Sequence, residues 1–252
     1  MFDLKLDGAK AVLTLCRPPV NAINAEWLAG FHALLDRLEG AAGLSALLIR
    51  SDQKIFCAGM DLDHVRALFA RADGADAMVG DVSEFQRLFA RIEALPAVVV
   101  CEIGGAALGG GLELALACDI RIASHKAKLG LPEARLGLIP GAGGTQRLTR
   151  LCGRGIASRI ILSADTLDGA TAERLGLVQW SCPPEALEAT VEAVVTRIAG
   201  LAPAAVREAK ALIAAAGDPA RDGYAEEREA DRRLFDQADT RTRIADFLAG
   251  AR

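Results

Sequence analysis

Positive charge is not in excess in this chain: 29 Lys and Arg stand against 33 Asp and Glu, a formal net charge of −4. The electrostatic footprint that a nucleic-acid backbone requires is therefore missing, and any phosphate-bearing ligand has to be held by a few locally placed cations. Such a ligand is small. Closely spaced cysteines are missing too. Cys16, Cys57, Cys101, Cys118, Cys152 and Cys182 are scattered, without the spacing that builds a zinc site or a redox motif, and most are expected to be small buried hydrophobes. The opening Met1-Phe2-Asp3-Leu4-Lys5 lacks a basic region followed by an apolar run, and no stretch is long and uncharged enough to span a bilayer. A cytoplasmic, non-membrane protein is the expectation. No solenoid repeat is visible.

What is present is apolar enough for a packed globule, and 252 residues suffice for one domain with an appendage or for two small ones. Alternation over Asp3–Leu6, a turn at Asp7-Gly8 and an apolar return at Ala11–Leu15 predict a hairpin. From Asn24, a candidate N-cap, the spacing of Trp27, Leu28, Phe31, Leu34, Leu35 and Leu38 predicts a helix ending before Gly40. Further strands are expected at 46–49, 55–58, 97–103 and 120–123. A helical stretch over 62–95 is expected to be interrupted near Asp73–Asp76 and Gly80-Asp81, and a helix is expected over 112–117. Beyond Thr145 the chain reads as mostly helical. Strands alternating with helices give an α/β class.

Three segments could carry chemistry. In Leu108-Gly109-Gly110-Gly111-Leu112-Glu113 three glycines lie between a buried strand and a helix. Absent side chains let a ligand reach the backbone, and first-turn amides, which have no helical acceptors, suit a developing negative charge. An oxyanion hole is one reading, and a tight turn needing glycine angles is the other. Glu113 falls in that first turn, where it could also simply complement the helix dipole. Asp119 and Arg121 read as a structural pair at strand ends. The second segment runs from Leu129 to Leu148 through Pro132-Glu133 and Pro140-Gly141-Ala142-Gly143-Gly144; Glu133 alone reads as a surface loop acid. The third, Lys54-Ile55-Phe56-Cys57-Ala58-Gly59-Met60-Asp61-Leu62, is read as a short strand and a small-residue turn with exposed amides. Lys54 is either a phosphate contact or a solvated edge residue.

Taken in order, Arg17-Pro18 with Asn21-Ala22-Ile23-Asn24, Phe56 to Leu62, Ala107 to Leu114 through Cys118-Asp119, and Pro132-Glu133 through Leu148 resemble the enoyl-CoA hydratase/isomerase (crotonase) superfamily. The resemblance spans most of the first 150 residues and continues more weakly to the tail. It implies a ClpP-like spiral of ββα units over 1–195 and a C-terminal helical module over 196–252 that builds homotrimers or homohexamers. It also implies an acyl-CoA thioester as substrate, with coenzyme A part of that substrate, no separate cofactor and no metal. The amides of Met60 and Gly110 would polarise the thioester carbonyl, and Glu113 and Glu133 fall on the two acid positions of hydratases. Substrate contacts are implied for Ala22, Lys54, Ala58, Met60, Asp61, Leu62, Leu108, Gly110, Pro132, Glu133 and Gly141. Leu68, Phe69, Met78, Val82 and Phe85 either border the acyl pocket or serve helix packing.

The chain departs from the pattern at Asp63, where some hydratases carry a lysine, and in its short tail, so neither supplies an assigned phosphate contact. Hydration of an enoyl thioester is the leading expectation. The rival on the same scaffold is double-bond isomerisation. A silent acyl-CoA- or RNA-binding relative is the third reading, opposed by the acidic balance and the intact acid pair.

Overall fold

The structure is a computed structural model that describes residues 1–41 and 43–250. Strands β1 (Phe2–Asp7) and β2 (Lys10–Leu15) form the expected antiparallel hairpin, with Asp7 opposite Lys10. The turn is therefore Gly8-Ala9, one residue later than expected, and Gly8 at φ +55° takes the first corner, where a tight hairpin favours glycine. Helix α1 (Ala25–Glu39) starts where Asn24 accepts a hydrogen bond from the Trp27 amide and buries Trp27, Leu28, Phe31, Leu35 and Leu38.

Then follow β3 (Ala46–Ser51), α2 (Leu62–Leu68), α3 (Gly74–Ala94), β4 (Val98–Ile103), β5 (Ala107–Leu108), α4 (Gly110–Leu116), β6 (Ile120–Ser124) and β7 (Lys128–Gly130). A 3-10 turn over Glu133–Leu136 leads to α5 (Gly144–Leu162), β8 (Thr166–Asp168), α6 (Gly169–Arg174), β9 (Trp180–Cys182) and α7 (Leu187–Ala199). The chain closes with α8 (Pro203–Ala215), α9 (Gly223–Phe235) and α10 (Ala238–Leu248).

One sheet has the order β1-β2-β3-β4-β6-β9, parallel from β2 onward, and a second has the order β5-β7-β8. Because both faces of the larger sheet are covered, its central strands read as unbroken apolar runs rather than alternating ones. The pleat sorts them: Leu47, Ile49, Val99, Cys101 and Ile103 join the main core with α1, α3 and α4, while Ala46, Leu48 and Val100 pack under Val191, Val194, Val195 and Ile198 of α7. Two turns of the chain send one strand to the large sheet, a shorter one to the small sheet and then a helix, as β4-β5-α4 and β6-β7-α5, and the turn from β3 replaces the small-sheet strand by the Cys57 bridge. This is the expected spiral.

Four sequence expectations need correction. Residues 55–58 make no strand but a single bridge, Cys57 to Ala107, because Ser51 Oγ donates to the Ile55 carbonyl at 2.8 Å and Asn21 Nδ2 to that of Phe56 at 2.9 Å. Helix α3 runs unbroken through Gly80-Asp81, since Asp81 is paired with His64 of α2 at 2.6 Å and Phe85 is buried beyond it. Helix α4 begins at Gly110, two residues before the expected start. The region after Thr145 carries two short strands, β8 and β9, among its helices.

The boundary expected at 195/196 falls inside α7, which keeps Ile198 in the core. The packing changes after Gly200, where α8 to α10 run over the outside and α8 is fastened by Lys210, which donates to Ala97 O at 3.0 Å and pairs with Asp119 at 2.7 Å. Among the described residues no single helix is long and apolar enough to cross a membrane.

Candidate active site

The glycines decide where two backbones cross. A Cβ on Gly111 would lie 2.1 Å from the Cys57 carbonyl oxygen and one on Gly59 2.7 Å from the Gly110 nitrogen, so only bare backbone lets the start of α4 press against residues 57–60. Gly59 also sits at φ +89°, a region that side-chain-bearing residues rarely adopt. The Gly59 carbonyl and the Asp61 amide both bond to Ile23. Since neighbouring backbone groups in an extended segment point to opposite sides, the Met60 amide between them is turned away from Ile23. Gly110 opens α4, so its amide is one of the helix's orphan donors. An added Cβ on Gly110 would come 3.5 Å from the Met60 nitrogen. The two donors therefore stand side by side at the positive end of α4, a geometry suited to one oxyanion.

The same crossing forms one wall of a cavity of about 210 Å³. Ala58, Met60, Leu62, Leu108, Gly109 and Gly110 supply that wall; Val65 of α2 and Met78, Val82 and Phe85 of α3 supply a second. Pro132, Glu133, Leu136, Leu138, Ile139, Gly141 and Ala142 line the third, and Glu113 reaches in from α4. The lining is apolar apart from the two acids and the free amides, as expected of a pocket for a chain bearing one reactive polar group.

Glu113 is 3 % exposed. Burial raises its pKa to about 7 against the donated Gly144 and Ala142 amides, and repulsion from Glu133 adds to the rise. The Gly144 amide donates to Glu113 Oε1 at 2.7 Å. Glu133 is held by the 3-10 turn after Pro132. Its pKa is also raised, by burial, and its Oε2 is buried with no hydrogen-bond partner. Burial disfavours the charged form of both acids, and Glu113, at about 7, is partly protonated near neutral pH.

Of the residues expected in substrate contact, Ala22, Lys54 and Asp61 do not line the cavity. Lys54 is exposed, and its carbonyl rather than its ammonium makes the close approach, to Gly105. The Ala22 carbonyl accepts from Arg17 Nη1 at 2.6 Å. Asp61 caps α2 through the Asp63 amide and pairs with Arg17 at 2.9 Å, so these residues brace the Met60 segment from behind. Leu68 is core and Phe69 is 82 % exposed; neither lines the cavity, whereas Met78, Val82 and Phe85 do. Sequence reasoning did not single out Val65, Leu136, Leu138, Ile139 or the Gly144 donor, because only tertiary packing brings them to the site.

The sequence model for enoyl-CoA hydratase/isomerase matches residues 7–248. This chain belongs to that family. It is 36 % identical to the short-chain-enoyl-CoA hydratase of Clostridium acetobutylicum over 83 % of this chain and 79 % of the relative. It is 38 % identical to the crotonyl-CoA hydratase of Syntrophomonas wolfei over 82 % and 79 %. Among solved structures, the enoyl-CoA hydratase of Bacillus anthracis superposes with a TM-score of 0.92 at 31 % identity, covering 99 % of this chain and 96 % of that one. The fold is that of the crotonase superfamily, and the chain is an enzyme of that superfamily.

Proposed function

We propose that this protein is an enoyl-CoA hydratase, adding water across the 2,3 double bond of an acyl-CoA thioester. The observation that carries this reading is that Glu113 and Glu133 line the same apolar cavity as Met60 and Gly110. The amides draw electron density onto the thioester oxygen, which makes Cβ electrophilic and stabilises the enolate that follows. A water held by the two acids adds its oxygen to Cβ while Glu113 takes the released proton. Protonated Glu133 delivers a proton to Cα as the enolate collapses. The net addition is one water, and the proton passes back from Glu113 to Glu133 before the next cycle. The proton belongs to the pair. The Gly144 donor on Glu113 favours an anion there.

Isomerisation needs one proton shuttle and no bound water, and a second buried acid would then be an unneeded cost. Hydration gives both acids work. The apolar residues that the tail leaves exposed, Ile213, Tyr224, Phe235, Phe247 and Leu248, support its expected role in joining copies of the chain.

The test is loss of the conjugated enone-thioester absorbance when the protein meets a short 2-enoyl-CoA. Glu113→Gln and Glu133→Gln should each lower kcat by about 10²- to 10⁴-fold while acyl-CoA binding persists, the usual contribution of a general acid or base. Appearance of that absorbance from a 3-enoyl-CoA, without hydration of the conjugated compound, would identify an isomerase instead.

A further inference from the structure

The loop that holds Glu113 does not hold itself. Pro140 to Gly143 lies between the 3-10 turn and α5 and carries the peptide whose Gly144 amide donates to Glu113 Oε1 at 2.7 Å. Two side chains tie that loop down: Gln86 of α3 donates through Nε2 to the Gly141 carbonyl at 2.7 Å, and Arg147 of α5 makes the second tie. Arg147 Nη1 donates to the Ala142 carbonyl at 2.8 Å, while its Nε and Nη2 make two parallel bonds to Glu93 of α3, at 2.9 and 2.6 Å. The Arg147 side chain is only 13 % exposed, and its guanidinium lies 6.0 Å from the centre of the Phe89 ring. Phe89 stands edge-on to Phe85, a wall of the cavity, with ring centres 5.9 Å apart.

Gly143 shows how closely the parts are fitted. It sits at φ +104°, and a Cβ there would meet Arg147 Nη1 at 2.2 Å. The planar fork suits this task, since it satisfies a carboxylate bidentately and keeps a further donor for a carbonyl, which an ammonium on a flexible stem does less well.

We propose that Arg147 and Glu93 form a positioning pair that fixes the Gly144 amide on Glu113 and so sets both the orientation and the proton affinity of that acid. The pair, with Gln86 beside it, clamps the donor-bearing loop to α3, so the cavity wall and the Glu113 donor move as one body. This rests on the reading that Glu113 handles the water. The charged groups facing Glu113 are Glu133 from the 3-10 turn and Arg147 from α5, and Glu93 on α3 faces Arg147 in turn. Removing the Arg147 charge and loosening the Gly144 amide both make Glu113 harder to ionise, so the two effects share a sign.

Arg147→Met, Arg147→Lys and Glu93→Gln are to be compared with the unmodified enzyme by steady-state hydration and by carboxyl carbon-13 titration of Glu113, its signal assigned by its loss in Glu113→Gln. Arg147→Met should lower kcat about ten- to a hundred-fold, the scale of a small misplacement at a reacting centre, with KM nearly unchanged. The acid limb of its kcat–pH profile and the Glu113 titration should both move to higher pH. Arg147→Lys, which keeps a cation and one donor, should recover part of kcat and of the titration. Glu93→Gln, a half-exposed change that spares the core, should lower kcat less and, with the Arg147 charge still acting on Glu113, raise its titration less than Arg147→Met does.

Wild-type kcat and an unmoved titration in Arg147→Met would overturn the proposal, as would an Arg147→Lys variant no better than Arg147→Met. If Arg147→Met does not fold, a Glu93→Gln kcat equal to wild type would overturn it. The titration needs no turnover. A Glu113 signal that moves in a protein without hydratase activity would sink the hydratase reading and leave the positioning pair standing.

Discussion

The two sides of the cavity are built from different parts of the chain. On the donor side the proposed working groups are main-chain amides at Met60 and Gly110, and identity matters only where a side chain must be absent. On the acid side the proposed working groups are side chains, Glu113 and Glu133: burial raises the pKa of both, and a loop amide holds Glu113. Backbone donors are fixed by the fold itself and remain polar at every pH. Buried carboxyls are held against their own preference for water, so they carry an energetic penalty that depends on pH. The donor side should therefore fail through shape and the acid side through charge.

The largest effect expected from shape is at Gly59. Gly59→Ala places a methyl 2.7 Å from the Gly110 nitrogen and forces a side chain into positive φ, so the two strands of backbone must part. A lost oxyanion donor typically costs about 10²- to 10³-fold in kcat. A crystal structure or amide-exchange map of Gly59→Ala should show the Met60 and Gly110 amides separated. Retention of full activity would mean that the donors lie elsewhere.

Charge on the acid side gives a stability effect with a definite sign. The Glu113 carboxyl moves from 4.5 in an unfolded chain to about 7 here, so between those values the folded state holds more protons than the unfolded one. Stability contributed by this group is fully present below the unfolded value and declines as pH rises through the folded one. The charged form then costs about 3 kcal/mol at pH 8. Glu113→Gln removes the charge and can still accept from Gly144, so it should melt higher than wild type at pH 8, by about 5 °C or more for a chain of this size. That advantage should fade at pH 5, where wild-type Glu113 is already neutral. Equal melting of the two proteins at both pH values would remove the charge penalty from the comparison.

The two sides also differ in how far they could be read from sequence. The glycine-rich start of α4 was legible because its determinants are local, three glycines and a helix whose first turn follows them, whereas the Met60 and Gly110 amides were implied only by the family resemblance. The hairpin and α1 were legible for the same reason, with Asn24 capping Trp27 and an apolar stripe at helical spacing. Glu133 was not. Its loop looks exposed in sequence, and Leu136 and Ile139 are indeed 60 % and 75 % exposed, yet its Oε2 is buried. The cavity it enters is closed by Val82 and Phe85, far away in the chain. The short strands β7, β8 and β9, of three residues each, were equally silent, because three residues carry no period. Lys54, a charge suggestive by type, is exposed and lies outside this cavity.

The smallest effect expected is at Met60, and it tests the donor side most sharply. Only its amide is proposed to act, and that amide is aimed by the Gly59 and Asp61 bonds to Ile23 and by the Arg17–Asp61 pair behind them. None of these involves the Met60 side chain. Met60→Leu keeps the apolar volume that lines the cavity, and a volume-conserving swap of this kind usually costs less than about 1.5 kcal/mol. Its kcat on a short enoyl-CoA should stay within a few-fold of wild type, and any change should appear as altered preference among acyl chains, because Met60 is one of the residues lining the apolar cavity. A loss of kcat as large as that of Gly59→Ala would mean that the sulfur, not the backbone, meets the substrate oxygen. The division between a main-chain side and a side-chain side would then have to be redrawn.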